Sequence, residues 1–206
     1  MSLITGYASL VTNVQRYLAR SDLADDVPGF IQSWEERFYR SPKNFGYWMD
    51  ATLSGTIASN VLAVPAALLQ LKVAYVSGNP ASRLEQVSLE QLYGTYPRNS
   101  YTGIPVWIAR DGNNFVFGPE PDSAYTIGGT YWAKPTLLRS YASDSAAHWI
   151  ILNAPDLPLY GALLEAESFL KNDGRIAVWS QMYSAALQDY RDLMAGRLTV
   201  GFEVLG

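Results

Sequence analysis

Residues 149–190 read WIILNAPDLPLYGALLEAESFLKNDGRIAVWSQMYSAALQDY, and this stretch sets the reading of the whole chain. Apolar residues recur at helical spacing on both sides of a central break. Leu159, Leu163, Ala166 and Leu170 make one stripe, with Tyr160 and Leu164 beside it. Ile176, Trp179, Tyr183, Ala186, Leu187, Tyr190 and Met194 make the other. Asp156 and Asp173 stand where N-caps belong, and Asn172 to Gly174 supply the break. The spacing predicts a helical hairpin. It holds no histidine, cysteine or glycine-rich loop, so it reads as an assembly element rather than a site of chemistry.

Outward from the hairpin, the first half-hundred residues add two more helices. Tyr7, Leu10, Val11, Val14, Tyr17 and Leu18 keep an amphipathic period that ends near Arg20. Asp22 to Pro28 forms a turn with acidic capping candidates and a proline suited to a first helical turn. Phe30, Ile31, Trp34 and Phe38 then line one face of a second helix, with Glu35, Glu36, Arg37 and Arg40 largely on other sides. Ser41-Pro42 ends it.

From about Phe45 to Trp132 the period changes to short β-like runs divided by Gly, Pro and Asn. Met49–Thr56 and Asn60–Val64 suggest a hairpin, and Leu68–Val76 a strand ended by Ser77-Gly78-Asn79-Pro80. Ser88 and Gln91 mark a short capped helix. Pro105–Ala109 and Asn114–Phe117 flank Arg110-Asp111-Gly112-Asn113, a hairpin turn because Gly and Asn accept positive φ. Ala124–Trp132 alternates as a last long strand, with Gly128-Gly129 marking a bulge or a close backbone approach. The fold expected is α+β. N- and C-terminal helices (1–44 and 145–195) form one bundle, and a small antiparallel β region of about six strands (45–144) is inserted between them. Residues 196–206 form a glycine-bounded tail whose Val200, Phe202, Val204 and Leu205 invite an edge-strand position or a neighbouring subunit.

Composition narrows the function. There are no cysteines and one histidine, His148, read as a loop residue before a helix. Thiolate and histidine-rich metal sites are thereby excluded, and histidine-based nucleophilic catalysis hangs on that one residue. No metal or cofactor is expected. The glutamate pairs Glu35/Glu36 and Glu165/Glu167 point to different helix sides and read as partners of Arg37, Arg16 or Arg20, or as solvated groups. Asp111-Gly112-Asn113-Asn114 is too short for a calcium loop. Charged residues are 17% of the chain, against ~25% in ordinary soluble domains. Six Trp, fourteen Tyr and only four Lys give it the bias of a protein interface. The net charge is −4 with no basic run, so the chain is not built to grip DNA phosphates. No apolar run is long enough to span a membrane, and the first residues lack the positive flank of a secretory signal. Trp34 and Trp179 fall on apolar stripes and are expected in the core, whereas Trp107 and Trp132 stay open.

The ordered set of residues resembles the head-to-tail adaptor (connector) proteins of tailed bacteriophages, the short-tailed kind above all. In the hairpin the matching residues are Trp149, Ala154 to Leu157, Leu159 to Ala166, Leu170, Lys171, Asp173, Arg175, Trp179 and Tyr183. Leu18, Arg20, Asp22, Leu23, Pro28, Phe30, Ile31, Glu36, Arg37 and Arg40 carry it through the first helices. Val64-Pro65, Leu69, Phe117 to Pro121 and Tyr131 to Lys134 carry it through the middle. Pro158, where the family pattern has tyrosine, and the sparse charge between Phe45 and Ala63 depart from it; residues after Gly196 match nothing. The resemblance implies a virion protein at the head–tail junction, made in the bacterial cytoplasm. It implies a ring, twelvefold, below the portal protein, with DNA passing through its lumen without specific binding and a downstream tail or nozzle protein attached. Candidate interface residues are Tyr160, Leu163, Trp179, Tyr183, Tyr190 and Phe202. Two other readings stand beside this one: a carbohydrate- or cell-wall-active tail protein, suggested by the aromatics and paired glutamates, and another tail ring such as a terminator or nozzle component.

Overall fold

The computed structural model describes residues 3–99, 101–141, 148–170 and 173–199. In chain order the elements are α1 (Tyr7–Leu18), α2 (Val27–Arg40), β1 (Asp50–Ile57), β2 (Val61–Ala63), β3 (Leu68–Val76), β4 (Ser82–Gln86), α3 (Leu89–Thr95), β5 (Thr102–Gly103), β6 (Trp107–Asp111), β7 (Asn114–Gly118), β8 (Glu120–Pro121), β9 (Tyr125–Ala133), α4 (Trp149–Asn153), α5 (Asp156–Leu170) and α6 (Asp173–Thr199). The chain is α+β and divides into two compact units. One comprises the residues up to Trp48 and those from Thr136 onward; the other is Met49–Pro135.

In the helical unit α5 is the central element. It packs against α6, α2, α1 and α4. Its Leu157, Leu159, Ala162, Leu163 and Ala166 are completely buried, which is why so apolar a sequence is stable as a helix in water. Small residues permit the closest approach. Gly161 faces the Trp34 indole of α2, and a Cβ at that position would collide with the ring. The amphipathic reading of α1 and α2 holds, with Leu10, Val14 and Leu18 on one and Ile31, Trp34 and Phe38 on the other buried. Glu35 departs from it: this carboxylate is buried, and both its oxygens accept the Leu138 N–H, at 3.0 and 3.2 Å.

The hairpin itself is broken once more than expected. Trp149–Asn153 is a separate short helix, because Pro155 disfavours helical backbone at Ala154, which adopts φ −148°. Asp156 therefore stands in the first turn of α5 rather than at a cap. Nor does Gly196 end the last helix, which continues to Thr199. The expected tail from 200 on, Phe202 included, lies outside the described residues.

The β-rich unit holds a seven-stranded sheet in the order β1-β9-β3-β4-β6-β7-β2, and a two-stranded one, β5-β8. It is larger than the small antiparallel region expected, and two of its pairings are parallel, β4 with β6 and β5 with β8. β1 and β2 are consecutive in sequence yet stand at opposite ends of the strand order, so the sheet curls until it nearly closes. The expected hairpin between them does not form. β1 pairs along its whole length with β9, from Asp50↔Trp132 to Ile57↔Tyr125. β2 pairs with β7, where the Asn60 side chain accepts the Phe117 N–H at 2.9 Å. Leu53, Ile57, Leu71, Val76, Ile108, Phe117 and Ile127 fill the space the curl encloses. The Gly112-Asn113 turn forms as read, with Gly112 at φ +60°. So does the cap of α3, where the Ser88 hydroxyl accepts the Gln91 N–H at 3.1 Å. Gly128 and Gly129 are places of close approach: side chains there would meet the Tyr75 ring and the Val73 carbonyl. The register shifts of β3 lie elsewhere, between Leu68 and Gln70 and between Leu71 and Val73, opposite Thr130 to Ala133.

Replacing Gly161 by alanine forces Trp34 out of its seat, and overpacking of this kind costs about 1–3 kcal/mol. Urea denaturation of Gly161→Ala should show a lower midpoint with an unchanged slope, while Gly174→Ala, which meets open space, should not.

Candidate interaction surfaces

Most of the aromatic side chains that suggested an interface lie inside the helical unit. Leu163, Trp179 and Tyr190 are buried, and Tyr160 and Tyr183 are half-buried. Tyr160 stacks on Trp179, whose other contact is the edge of Tyr17 at 5.7 Å. Tyr183 accepts the Trp34 indole N–H at 3.2 Å. Burial holds the Tyr183 hydroxyl above its ordinary pKa.

Tyr190 belongs to a polar junction that the sequence gave no sign of. Its hydroxyl accepts the Trp48 indole N–H at 3.1 Å and donates to the Asn44 carbonyl at 2.7 Å. The buried Asn44 side chain donates to the Phe38 carbonyl and accepts two N–H groups of Arg191, at 3.1 and 2.9 Å. Such a satisfied buried network fixes one geometry among the segments it joins. Here it joins the end of α2, the 41–48 segment and α6. Burial pushes the Tyr190 hydroxyl up to about 12. The Tyr39 hydroxyl is raised as well, chiefly by burial and then by the Glu35 charge.

His148 is also inside, not on an exposed loop. It caps α4, its Nδ1 accepting the Ile150 N–H at 3.2 Å, with the Trp48 ring edge-on at 5.2 Å. Trp48 in turn lies flat on Trp149, 5.1 Å between centroids. The imidazole is thus a neutral acceptor, and burial lowers its pKa to about 4. The glutamates are each tied to a different partner. Glu165 pairs with Arg37 at 2.9 Å, as expected for that arginine, and Glu36 accepts from Gln32 at 2.9 Å. Glu167, completely buried, lies 3.1 Å from the Arg175 guanidinium. Among the described residues no cluster of three or more His, Asp or Glu could hold a metal ion, and no helix is long and apolar enough to cross a membrane.

Two surfaces present what interfaces use. On α6 the exposed residues from Ala177 to Gln188 (Ala177, Val178, Ser180, Gln181, Met182, Ser184, Ala185 and Gln188) include no charge. Val178 is 49% and Met182 42% exposed, one turn apart, with Leu193 further along. Solvent-facing helices ordinarily carry Lys and Glu there, and their absence is an interface signature. The same helical period carries this stripe in the sequence, on the outward positions of α6. On the β-rich unit Tyr101, Ile104 and Val106 are exposed. Tyr96 lies edge-on to Tyr101 and to Trp107, 5.3 Å from the latter, and Arg98 covers Tyr93 at 5.0 Å. Trp107 is half-buried and donates to Glu85 at 3.0 Å; Trp132 lies beneath the Lys72 ammonium at 5.0 Å.

Across residues 5–201 the sequence matches the family model of the SU10 adaptor protein. The chain belongs to that family. A search of curated proteins gave no match. Membership makes this a bacteriophage adaptor, and a component of the virion by family. The adaptor's surfaces are accordingly of more interest than its cavities.

One titration follows from the buried cap. An imidazole held near pKa 4 in the folded chain, against ~6.5 unfolded, is neutral when folded while the unfolded chain takes up a proton. Its contribution is therefore full above about pH 6.5 and is lost as pH falls toward 4, on the order of 2–3 kcal/mol. In His148→Asn, which keeps a capping acceptor without a titrating group, the fall in Tm between pH 6.5 and 4 should be visibly shallower.

Proposed function

We propose that this adaptor assembles into a ring, twelvefold, below the portal protein, extending the DNA channel and carrying the next tail component. The single observation that carries the reading is the family match over nearly the whole chain. The charge-free face of α6 supports it: a 27-residue helix with Val178 and Met182 turned outward is suited to packing against a different surface of a neighbouring copy, the head-to-tail contact that closes a ring.

In this reading the helices from both ends of the chain act as one bundle that makes ring and portal contacts, and the β-rich unit faces the tail. The interface residues named from sequence serve mainly by holding that bundle in shape, since Leu163, Trp179 and Tyr190 are interior. The exposed Tyr101, Ile104 and Val106 with Arg98 nearby have the Tyr- and Arg-rich make-up of interface anchors and are offered to the downstream tail or nozzle protein. DNA is not gripped. A chain of net charge −4 without a basic run lets phosphates slide past. The role is structural rather than catalytic.

Native mass measurement of the chain with its portal protein tests the reading. A stoichiometric ring on the portal is expected, and a chain that stays monomeric with portal present contradicts it. Met182→Glu and Val178→Glu should leave the circular dichroism spectrum and Tm nearly unchanged, as exposed sites do, while reducing ring yield at least tenfold.

A further inference from the structure

Two outward faces of the helical unit carry the same pattern with opposite charge. On α6 the exposed Val178 and Met182 are followed, further along the same side, by the exposed Asp189 and Asp192. On α2 the exposed Gly29 and Ser33 are followed along one side by Arg40 and, just past the helix end, by Lys43. In both sets the four residues stand four, seven and three positions apart. Each face thus joins an uncharged half to a charged half over about 20 Å. The charged half is acidic on α6 and basic on α2.

Neighbouring groups leave this contrast in place. Arg37 adds to the basic half while pairing with Glu165 of α5, and Glu36 beside it accepts from Gln32. Asp25 and Asp26 precede α2, at the end away from Arg40. On α6, Arg191 turns inward to the Asn44 side chain rather than to the outward aspartates. Gly29 has no packing role inside the chain, since a Cβ there would meet nothing within 4 Å. Glycine weakens a helix relative to alanine, and this one leaves room beside Ser33 for a branched side chain from outside.

The two helices also run level. Trp34 of α2 bonds Tyr183 of α6, Phe38 meets Tyr190 edge-on at 5.3 Å, and Asn44 beyond α2 takes Arg191. The partners advance together, so α2 and α6 are parallel within one chain. The Trp34–Tyr183 bond sets their neighbours Ser33 and Met182 at about one height. These inward contacts use other sides of each helix, and both outward sets stay at the surface.

We propose that α6 of one copy packs against α2 of the next, Val178 and Met182 on Gly29 and Ser33, Asp189 and Asp192 against Arg40 and Lys43. This inference rests on the ring reading above and names its contact. Equal height is what closure requires. Rotation about an axis along the helices brings each face to its partner with no rise, whereas faces at different heights would climb into an open filament. Small residues let the helices approach closely, and the opposite charges fix direction and register more than they add affinity.

The chain has no cysteine, so a disulfide can report the contact. Chains carrying Met182→Cys are mixed with chains carrying Ser33→Cys, assembled with portal protein, weighed by native mass and mildly oxidised. Rings and a covalent mixed dimer are expected. Adding Asp189→Lys and Asp192→Lys to the first chain should reduce that dimer at least tenfold. Adding Arg40→Glu and Lys43→Glu to the second as well should restore it, which a misfolded variant could not do. Rings whose mixed dimer is missing, or indifferent to charge reversal, overturn this contact and keep the ring. A dimer from Met182→Cys chains alone overturns it too, because α6 then meets itself. Crosslinked chains that form no ring overturn the ring alone, and neither product overturns both.

Discussion

The Trp34 indole occupies the space that Gly161 leaves on α5, and the helical unit is organised around that fit. The contact brings α2 to α5 at backbone distance. It also aims the indole N–H at Tyr183 on α6, so one side chain sets the mutual placement of three helices. Close packing of this kind makes position exact to a fraction of an ångström, because interiors have the density of organic crystals and little room to adjust. Most other contacts of α5 are hydrophobic burial, which favours compaction without choosing a geometry; Glu165 and Glu167 add ion pairs to Arg37 on α2 and Arg175 on α6. Polar junctions supply the choice elsewhere: Asn44 with Tyr190 and Arg191, Glu35 with the Leu138 amide.

This division of labour explains why an adaptor can be so rich in tyrosine and tryptophan and yet leave few of them fully exposed. Their rings give large buried area, and their single polar atoms find partners across helices, as Trp34, Trp48 and Tyr190 do. The outside of α6 is then free to be plain. Its serines and Gln188 bond only within the helix, Ser184 to the Ser180 carbonyl and Gln188 to Asp192, and Val178 and Met182 stand exposed one turn apart. The β-rich unit follows a different plan. It encloses its core by curling one sheet, and glycine at 128 and 129 lets β9 lie close to β3, where side chains would meet Tyr75 and the Val73 carbonyl.

Period and turn chemistry made α1, α2, α3, β3, β9 and the Gly112 hairpin legible from sequence, because each depends on residues a few positions apart. Strand partners were not legible in the same way. The three residues between Ile57 and Val61 look like a hairpin turn, but register depends on what else each strand can pair with, and β9 offers β1 a full-length partner. The surfaces were half legible. Aromatic and low-charge composition pointed to interfaces, while which aromatic faces inward depends on the neighbouring helix. Tyr190 and Trp179, both named as candidate contacts, are buried in the helical unit, which is where the apolar stripe placed Trp179.

Sequence by itself determined the helical ends, the β-rich middle, the lack of thiol and multi-histidine chemistry and the resemblance to adaptors, since composition and short-range spacing carry all of these. Tertiary structure decided that the sheet curls round on itself and that Glu35 and His148 are buried. It also set α2 and α6 side by side in one direction and left the stripe of α6 bare. The physical reason is common to all of them. Burial, pairing and exposure are properties of what lies across from a residue, and that neighbour is set by the packing of the folded chain rather than by adjacency along it.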